Sequence, residues 1–280
     1  YGVLLIGGRR THQEVHAGSF ASHPLCHLVA VADERDVPET VLELNRQLAA
    51  DFNVPYIADL DAALARDDVH IVCSTPNVER RGRVGVRCLQ AGKHVYFDKP
   101  LAGTLEDADA IVAAAERAGV RTQMFSQVNV PWILEAKRAI AEGRIGELKA
   151  VHVENLFAKG MADTVPEGTV RREKEYVERF TFVEAKREMF DIGVYVVGLA
   201  HWLTGRKTES VFGITGNYIY SEHAGVDVED FGSMALTMEG GITATLMGGR
   251  IGWMSHPKGG PERVVLIGTE GMLTFDHWRP

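Results

Sequence analysis

Lys99 occupies a position from which its ammonium group could take part in proton chemistry. It follows a short apolar run, residues 95–97, and Asp98, and it precedes Pro100. Proline fixes its own φ at about −65° and keeps the residue before it out of the α region, so Lys99 is held just past a predicted strand. Open parallel sheets bind ligands at the carboxyl ends of their strands. A lysine there could hold a substrate hydroxyl group and, if partly desolvated, exchange a proton near neutral pH.

Asp191 and Tyr195 are a second pair of polar side chains that could do chemistry. They lie four residues apart in an otherwise apolar segment, residues 190–203, whose pattern predicts a helix with both side chains on one face. Tyrosine has a pKa of about 10, so a neighbouring ammonium would have to lower it before the phenol could serve as a base. A neutral tyrosine is already suited to protonate a carbonyl group that is being reduced. The alternative is a solvated lysine and a core tyrosine with a satisfied hydroxyl.

Two histidine pairs have a spacing that can bind zinc. His12 and His16 are four residues apart, and so are His23 and His27. The sequence offers no third ligand placed to complete either pair, and residues 12–16 are not a His-Glu-x-x-His motif. We therefore expect no metal site.

The elements that position these residues alternate in the first half of the chain. Short apolar runs alternate with amphipathic segments, which predicts βαβ units with right-handed crossovers and a parallel sheet. This pattern indicates an α/β Rossmann domain over residues 1–125. The predicted strands are 3–6, 28–32, 71–73, 95–97 and 122–125, and the predicted helices are 39–51, 61–66, 79–90 and 104–118.

The order of predicted strands and helices changes in the second half of the chain. Longer strands follow one another through turns, and the helices are segregated, which predicts an α+β domain on a mostly antiparallel open sheet. We assign this domain, for substrate binding and oligomerisation, to residues 126–280. The predicted strands are 149–157, 210–220, 231–238, 242–248, 264–267 and 272–275, and the predicted helices are 131–142, 171–188 and 190–203.

Motifs spaced along nearly the whole chain resemble those of the Gfo/Idh/MocA family of NAD(P)-dependent oxidoreductases. Asp98-Lys99-Pro100 resembles the family's Glu-Lys-Pro signature, with aspartate in place of glutamate. The other matching segments, in chain order, are Thr75-Pro76-Asn77, residues 91–95, residues 143–148, residues 191–195 and residues 264–275. Relatives usually continue beyond the last of these, so we expect that a terminal segment is missing.

The resemblance implies roles for the site residues. Lys99 and Asp191 would hold the reacting hydroxyl group of the substrate, and Tyr195 would carry the proton. Other residues would border the nicotinamide of the cofactor, namely Thr75, Pro76, Asn77, Asp98 and Lys99. Family members are often dimers or tetramers, which implies a homo-oligomer.

The predicted cofactor loop departs from the usual Gly-x-Gly-x-x-Gly pattern. After the first strand only Gly7 is in register, and Arg9 and His12 occupy the next two glycine positions. Either the loop is rearranged so that an arginine contacts phosphate directly, or the domain has lost its cofactor. The predicted cofactor contacts in this loop are Gly7, Gly8, Arg9 and Arg10.

Asp33 bears on the choice of cofactor. It ends the second predicted strand, where a carboxylate can accept hydrogen bonds from the adenosine ribose and so favour NAD over NADP. Arg9, Arg10 and Arg35 have the opposite effect, since each could neutralise a 2′-phosphate. A capped turn is the structural alternative for Asp33. We expect NAD as the cofactor, with NADP possible.

Composition limits the partners. A net charge of −8 argues against nucleic acid or an anionic membrane as the main partner, and no apolar run is long enough to span a bilayer. Three cysteines, Cys26, Cys73 and Cys88, do not make a disulfide framework, which favours a cytoplasmic location. We expect a small-molecule substrate.

The predicted function is transfer of hydride between nicotinamide and a sugar, polyol or related hydroxyl or carbonyl compound. Two alternatives remain open. One is a redox-neutral lyase or glycosidase that oxidises and regenerates bound NAD. The other is a non-catalytic family member, which the degenerate glycine loop favours.

Overall fold

The protein is described by a computed structural model over residues 1–7, 12–158, 187–219, 225, 227–251 and 262–276. The chain divides into two compact units, Tyr1–Phe125 and Ser126–Pro280. Of the helices in these described ranges, none combines the length and the apolar character needed to cross a membrane.

The first unit is a six-stranded parallel sheet with helices between its strands. The sheet order is β3-β2-β1-β4-β5-β6, the order of a Rossmann fold, which confirms the predicted fold class. The order reverses between β1 and β4, where such folds bind their ligands. The strands are β1 (Gly2–Ile6), β2 (His27–Ala32), β3 (Tyr56–Ile57), β4 (Ile71–Ser74), β5 (His94–Phe97) and β6 (Thr122–Met124). The helices are α1 (Gln13–Ser22), α2 (Glu39–Asp51), α3 (Leu60–Leu64), α4 (Val78–Gln90) and α5 (Leu105–Ala118).

The core of this unit lies on both faces of the sheet. Successive residues of β1 contribute to opposite sides: Leu4 and Ile6 pack in one buried cluster, and Val3 and Leu5 pack in another. Strands buried on both faces have continuous apolar sequences, which is why β1 shows no polar alternation. Thr104, where the predicted helix begins, is the N-cap of α5, and its hydroxyl accepts a hydrogen bond from the Asp107 N–H.

Two elements of the first unit were not predicted. Helix α1 buries Gln13, His16 and Ala17 and exposes Val15, so its apolar residues do not mark its buried face. Strand β3 is only two residues long. Neither element carries the hydrophobic period by which helices and strands are recognised in a sequence.

The second unit has a six-stranded mixed sheet in the order β12-β11-β7-β10-β9-β8. Strands β7 and β10 are parallel and the other four neighbouring pairs are antiparallel, which confirms the mostly antiparallel sheet. Its strands are β7 (Leu148–Ala158), β8 (Thr208–Gly216), β9 (Phe231–Met238), β10 (Ile242–Ile251), β11 (Glu262–Gly268) and β12 (Met272–Asp276). Its described helices are α6 (Pro131–Ala141), α7 (Glu188–Asp191) and α8 (Gly193–Thr204).

The predicted helix over residues 190–203 is interrupted at Ile192. This residue has φ −106° and ψ −38° and separates α7 from α8. The residues on either side are both held by β10: Asp191 is bonded to Arg250, and the backbone of Gly193 lies against Gly248. For the predicted helix 171–188, residues 171–186 lie outside the described residues.

Candidate functional site

At the carboxyl edge of the first sheet, the backbone that follows β1 lies in close contact with the backbone that follows β4. Gly7, the first residue after β1, has φ +105°, and a Cβ added there would lie 2.7 Å from the Thr75 carbonyl oxygen. Thr75, just after β4, donates its N–H and its hydroxyl to the Ile6 carbonyl at 2.9 and 2.7 Å. Only glycine fits both the positive φ and the close approach. This is the requirement that the first glycine of a dinucleotide-binding turn meets.

Arg81 connects the loops that follow β4 and β5. Its guanidinium donates to the Pro76 carbonyl at 3.0 Å, to the Pro100 carbonyl, and to Asp98 Oδ2 at 2.9 Å. Helix α4 supplies this arginine, and Asn77 is the residue at the start of that helix. Both predicted loops therefore share one buried cation, which fixes the position of the Asp-Lys-Pro segment relative to the Thr-Pro-Asn segment.

Lys99 lies where the sequence places it, immediately after β5 and Asp98. It is buried, with 5% of its surface exposed, and the peptide bond to Pro100 is cis. Strand β5 lies between β4 and β6, so Lys99 follows an interior strand at the edge of the sheet where Rossmann folds bind their ligands.

The Asp98 carboxylate is held by three cationic or potentially cationic side chains. Oδ1 lies 2.9 Å from His12 Nδ1 and 3.7 Å from His16 Nε2, and Oδ2 accepts from Arg81. Burial opposes ionisation of Asp98, but the two histidines and Arg81 outweigh it and hold its pKa well below the usual range. Asp98 is a possible third ligand beside His12 and His16, which the sequence spacing did not predict. Asp98 is 86 residues from His12 in the chain, so residue spacing could not identify it as a neighbour of the two histidines.

Asp33 follows β2, as predicted, but both oxygens of its carboxylate already accept hydrogen bonds from protein donors. Oδ1 accepts from the Glu34 N–H at 2.9 Å and from Arg80 at 2.7 Å, and Oδ2 accepts from Asn45 at 2.9 Å and from Arg80 at 3.2 Å. The residue is completely buried. A carboxylate has about four acceptor sites, so a ribose hydroxyl would have to displace one of these donors.

Glu34 is the neighbouring carboxylate and is more accessible. Arg83 donates to its two oxygens at 3.0 and 2.9 Å, Arg87 donates at 3.1 Å and Arg80 at 3.2 Å. Partial burial opposes its ionisation, but Arg83 and Arg80 outweigh that effect and lower its pKa. Three arginines and one glutamate therefore line this end of the sheet, beside Asp33.

Asp191 in the second unit is part of a buried ionic cluster. Arg250 on β10 donates to Asp191 Oδ2 at 2.7 Å and to Glu188 Oε1 at 2.8 Å. All three side chains are buried, with Glu188 fully so. The arginine holds the carboxylate of Asp191 in one orientation.

Tyr195 lies in the first turn of α8, four residues after Asp191. It is 5% exposed, and its ring stacks on Phe157 with centroids 6.0 Å apart. The backbone N–H of Tyr195 donates to the Ile192 carbonyl at 3.0 Å across the helix interruption. Asp191 and Tyr195 are thus on separate helices that meet at Ile192.

Sequence reasoning missed the cations that orient these carboxylates. Arg80 and Arg81 are adjacent, buried members of α4, and Arg250 belongs to β10. In the sequence, such an arginine can be noticed because it lies on a face that the surrounding apolar residues predict to be buried. The carboxylate that it pairs with could not be identified from residue spacing. The predicted cofactor contacts Gly8, Arg9 and Arg10 lie outside the described residues.

A dinucleotide cofactor fits one part of this edge better than the other. The glycine-requiring turn at Gly7 and the loop beginning at Thr75 lie on either side of the switch point between β1 and β4. The acceptors of Asp33, in contrast, are occupied by protein donors. The described residues therefore supply the glycine-requiring turn and the neighbouring Thr75 loop of a dinucleotide site, and a ribose at Asp33 would require another contact.

Comparison with known proteins covers both units. Residues 1–126 match the model of the oxidoreductase family with an NAD-binding Rossmann fold, and residues 133–274 match the GFO/IDH/MocA C-terminal domain. The two matches follow each other in the order of the two sheets.

Individual relatives are distant in sequence. Glucose-fructose oxidoreductase domain-containing protein 1 of Mus musculus is 25% identical over 71% of this chain and 50% of its own length. The scyllo-inositol 2-dehydrogenase (NADP(+)) IolW of Bacillus subtilis is 24% identical over 92% of this chain and 68% of its own. The structure of GenD2 from gentamicin A biosynthesis, in complex with NAD, is 25% identical with a TM-score of 0.75 and covers 99% of this chain and 72% of its own. The chain spans about half the length of the first curated relatives it matches.

Proposed function

Because this chain belongs to the Gfo/Idh/MocA family of oxidoreductases, we propose that it is an NAD(P)-dependent oxidoreductase acting on a sugar, polyol or related hydroxyl or carbonyl substrate. The observation that carries this proposal is buried Lys99 at the carboxyl end of β5, in a Rossmann sheet whose first turn requires glycine. The inositol dehydrogenase among the relatives supports the class of substrate.

The bound nicotinamide would accept or deliver a hydride at the substrate carbon. Lys99 would donate a hydrogen bond to the reacting oxygen, and Arg81 keeps the Asp98–Lys99 segment in place through the Pro76 and Pro100 carbonyls. The backbone after β1 and β4 would approach the cofactor, since no side chain can occupy the position of Gly7.

Asp191 and Tyr195 have separate roles in this proposal. Asp191, oriented by Arg250, would accept a hydrogen bond from a substrate hydroxyl. Tyr195 would carry the proton of the reacting hydroxyl, as the acid when a carbonyl is reduced. Stacking on Phe157 limits the positions that the phenol can take.

Cofactor binding is the first test of this proposal. The purified protein is titrated with NADH and with NADPH while nicotinamide fluorescence and protein quenching are followed. Micromolar binding of either supports a working Rossmann site and names the cofactor. Failure of a folded protein to bind either one would reject the oxidoreductase proposal and favour a non-catalytic family member.

A substrate screen then separates the two catalytic possibilities. Polyols, sugars and their oxidised forms are offered with the cofactor that binds, and both the nicotinamide absorbance and the product are followed. Net change in NADH with product supports a dehydrogenase. Product without net NADH, together with tightly retained cofactor, would instead identify a redox-neutral lyase or glycosidase.

We also propose that the protein is a cytoplasmic homo-oligomer, a dimer or a tetramer. Strand β8 lies at an edge of the second sheet and exposes Val211, Phe212 and Ile214, each more than half accessible. Exposed apolar patches of this kind commonly mark association surfaces. All three cysteines are unpaired, which fits a reducing compartment. Light scattering coupled to gel filtration measures the oligomeric state, and a monomer at micromolar concentration would contradict it.

A further inference from the structure

His12, His16 and Asp98 bring three metal-ligating atoms together in the first unit. One ligand atom from each residue lies within 4.8 Å of the other two, and Asp98 Oδ1 faces His12 Nδ1 and His16 Nε2. Two of these ligands come from the start of α1 and the third follows β5. Nothing in the proposed dehydrogenase chemistry requires a histidine pair at this position.

The spacing of the three atoms suits a transition-metal ion. Zinc binds imidazole nitrogen and carboxylate oxygen at about 2.0–2.2 Å, so tetrahedral geometry separates neighbouring ligand atoms by about 3.3–3.6 Å. The distances from Asp98 Oδ1 are 2.9 Å to His12 and 3.7 Å to His16, one on each side of that value. Because no pair of ligand atoms is more than 4.8 Å apart, rotation of the side chains would bring all three atoms to bonding distance from one ion.

The side chain of His16 has a buried nitrogen atom that a ligand could satisfy. Its Nε2 atom is buried and has no hydrogen-bond partner among the described residues, since 3.7 Å to Asp98 is too long for a hydrogen bond. Tyr96 and Phe125 pack against the imidazole with centroids 5.1 and 5.0 Å away, which limits rotation of the ring. A buried polar atom without a partner requires an explanation, and a bound ion supplies one.

Arg81 supplies the outer contact that a metal-binding carboxylate needs. It donates to Asp98 Oδ2 at 2.9 Å and leaves Oδ1 facing the two histidines. Carboxylates that bind metals are commonly oriented by such hydrogen bonds from outside the site. The arginine and the metal would therefore bind different oxygens of one carboxylate.

We propose that His12, His16 and Asp98 bind a divalent first-row transition-metal ion, of which Zn²⁺ is the best match. Two imidazoles and one carboxylate form a donor set that suits Zn²⁺. Mg²⁺ and Ca²⁺ prefer sites made of oxygen ligands alone, so this donor set disfavours them. Three protein ligands leave a fourth position for water.

Metal binding by chelator-treated protein tests this site without any cofactor or substrate. Zn²⁺ is titrated in competition with a chromophoric chelator, and Co²⁺ is used as a spectroscopic substitute whose visible absorption reports tetrahedral coordination. We expect one ion per chain. The substitutions His16→Gln and His12→Gln should each weaken Zn²⁺ binding by about 100-fold or more, since even outer contacts are worth about 10–100-fold.

His27→Gln is the matched control, because His27 belongs to the other histidine pair with the same spacing and is exposed on β2. It should leave the affinity and the Co²⁺ spectrum unchanged. Stoichiometric binding that survives both His12→Gln and His16→Gln, or the absence of binding tighter than millimolar in the unmodified chain, would overturn the proposal. Circular dichroism checks that each variant is folded, and the half-exposed His12 provides the decisive variant if His16→Gln is not folded. The measurement is of binding alone, so its result is independent of the proposed oxidoreductase activity.

Discussion

The carboxylate of Asp33 and the guanidinium of Arg80 are joined by two hydrogen bonds, 2.7 and 3.2 Å long. Asp33 is fully buried and Arg80 is 7% exposed. The pair connects the end of β2 to helix α4, at the end of the sheet where dinucleotide-binding folds place the adenosine ribose. A buried pair of this type contributes little net stability, but removal of one partner leaves an uncompensated buried charge.

Arg80→Met should therefore lower the free energy of unfolding by about 3–5 kcal/mol, because Asp33 would remain buried without its counter-charge. Urea denaturation of the folded protein measures the change. Arg83→Met is the control. Arg83 lies three residues after Arg80 in α4, is exposed and pairs with Glu34. Its cost should stay below about 1 kcal/mol. Equal losses in the two variants would show that the Asp33–Arg80 pair has no special role.

Glu34→Gln should shift the cofactor preference toward NADPH. Glu34 accepts hydrogen bonds from Arg80, Arg83 and Arg87. Its neutralisation makes Arg83 available to a 2′-phosphate, whereas Arg80 stays bonded to Asp33 and Arg87 to Asp61. One new charge-assisted hydrogen bond is worth about 1.5 kcal/mol, so the ratio of NADPH to NADH affinity should rise about tenfold. Fluorescence titration measures both dissociation constants.

Asp61→Asn is the control for this experiment. Asp61 is exposed and lies 2.8 Å from Arg87, so its substitution removes a carboxylate from one of these arginines without freeing Arg83. The ratio should not change in this variant. An unchanged ratio in Glu34→Gln as well would place the 2′ end of the cofactor elsewhere.

The elements of the fold were predictable from sequence where one hydrophobic period dominates. Helix α2 was predicted with its observed bounds, Glu39–Asp51, and β9 with its bounds, Phe231–Met238. Helix α1 was not predicted, because two of its buried residues, Gln13 and His16, are polar. Their burial depends on contacts with other strands, which local periodicity does not encode.

The candidate site was predictable by residue type but not by partner. Lys99 and Tyr195 lie in the elements expected for them, since strand and helix patterns are local. The partners of Asp191 and Asp98 are not local: Arg250 is 59 residues from Asp191, and His12 is 86 residues from Asp98. Contacts over such distances depend on the pairing of strands, which a single sequence does not specify.

Lys99→Ala should abolish turnover, and Tyr195→Phe should leave a measurable fraction of it. Lys99 would lose its contact with the reacting oxygen, whereas loss of one proton carrier typically lowers the rate by about 10²–10⁴-fold. Steady-state kinetics with the cofactor and substrate found in the screens measures both effects. Lys149→Ala is the control, because Lys149 is exposed and pairs with Glu147. Full activity in Lys99→Ala would refute the assignment.

One cysteine should react in the native protein and three after unfolding. Cys73 and Cys88 are buried, and burial raises the pKa of the Cys88 thiol to about 12 and that of Cys73 well above its usual range. The thiolate is the reactive form, so neither should react at about pH 8 while the protein is folded. Cys26 is partly exposed. A chromogenic disulfide reagent counts the thiols, and Cys26→Ser should remove the native signal. A native count of three would show that the first unit opens readily.

Gly248→Ala should destabilise the second unit and disturb the helix that carries Tyr195. A Cβ at Gly248 would lie 3.1 Å from Gly193 Cα, where α8 begins against β10. Overpacking of this kind typically costs about 1–3 kcal/mol, and the backbone must move to relieve it. Gly198→Ala is the matched control, because Gly198 lies in α8 with open space around it, and alanine is favoured over glycine in a helix interior by about 0.5–1 kcal/mol. Chemical denaturation should therefore give changes of opposite sign for the two substitutions. If both stabilised the protein, the close contact between α8 and β10 would not be what fixes the helix.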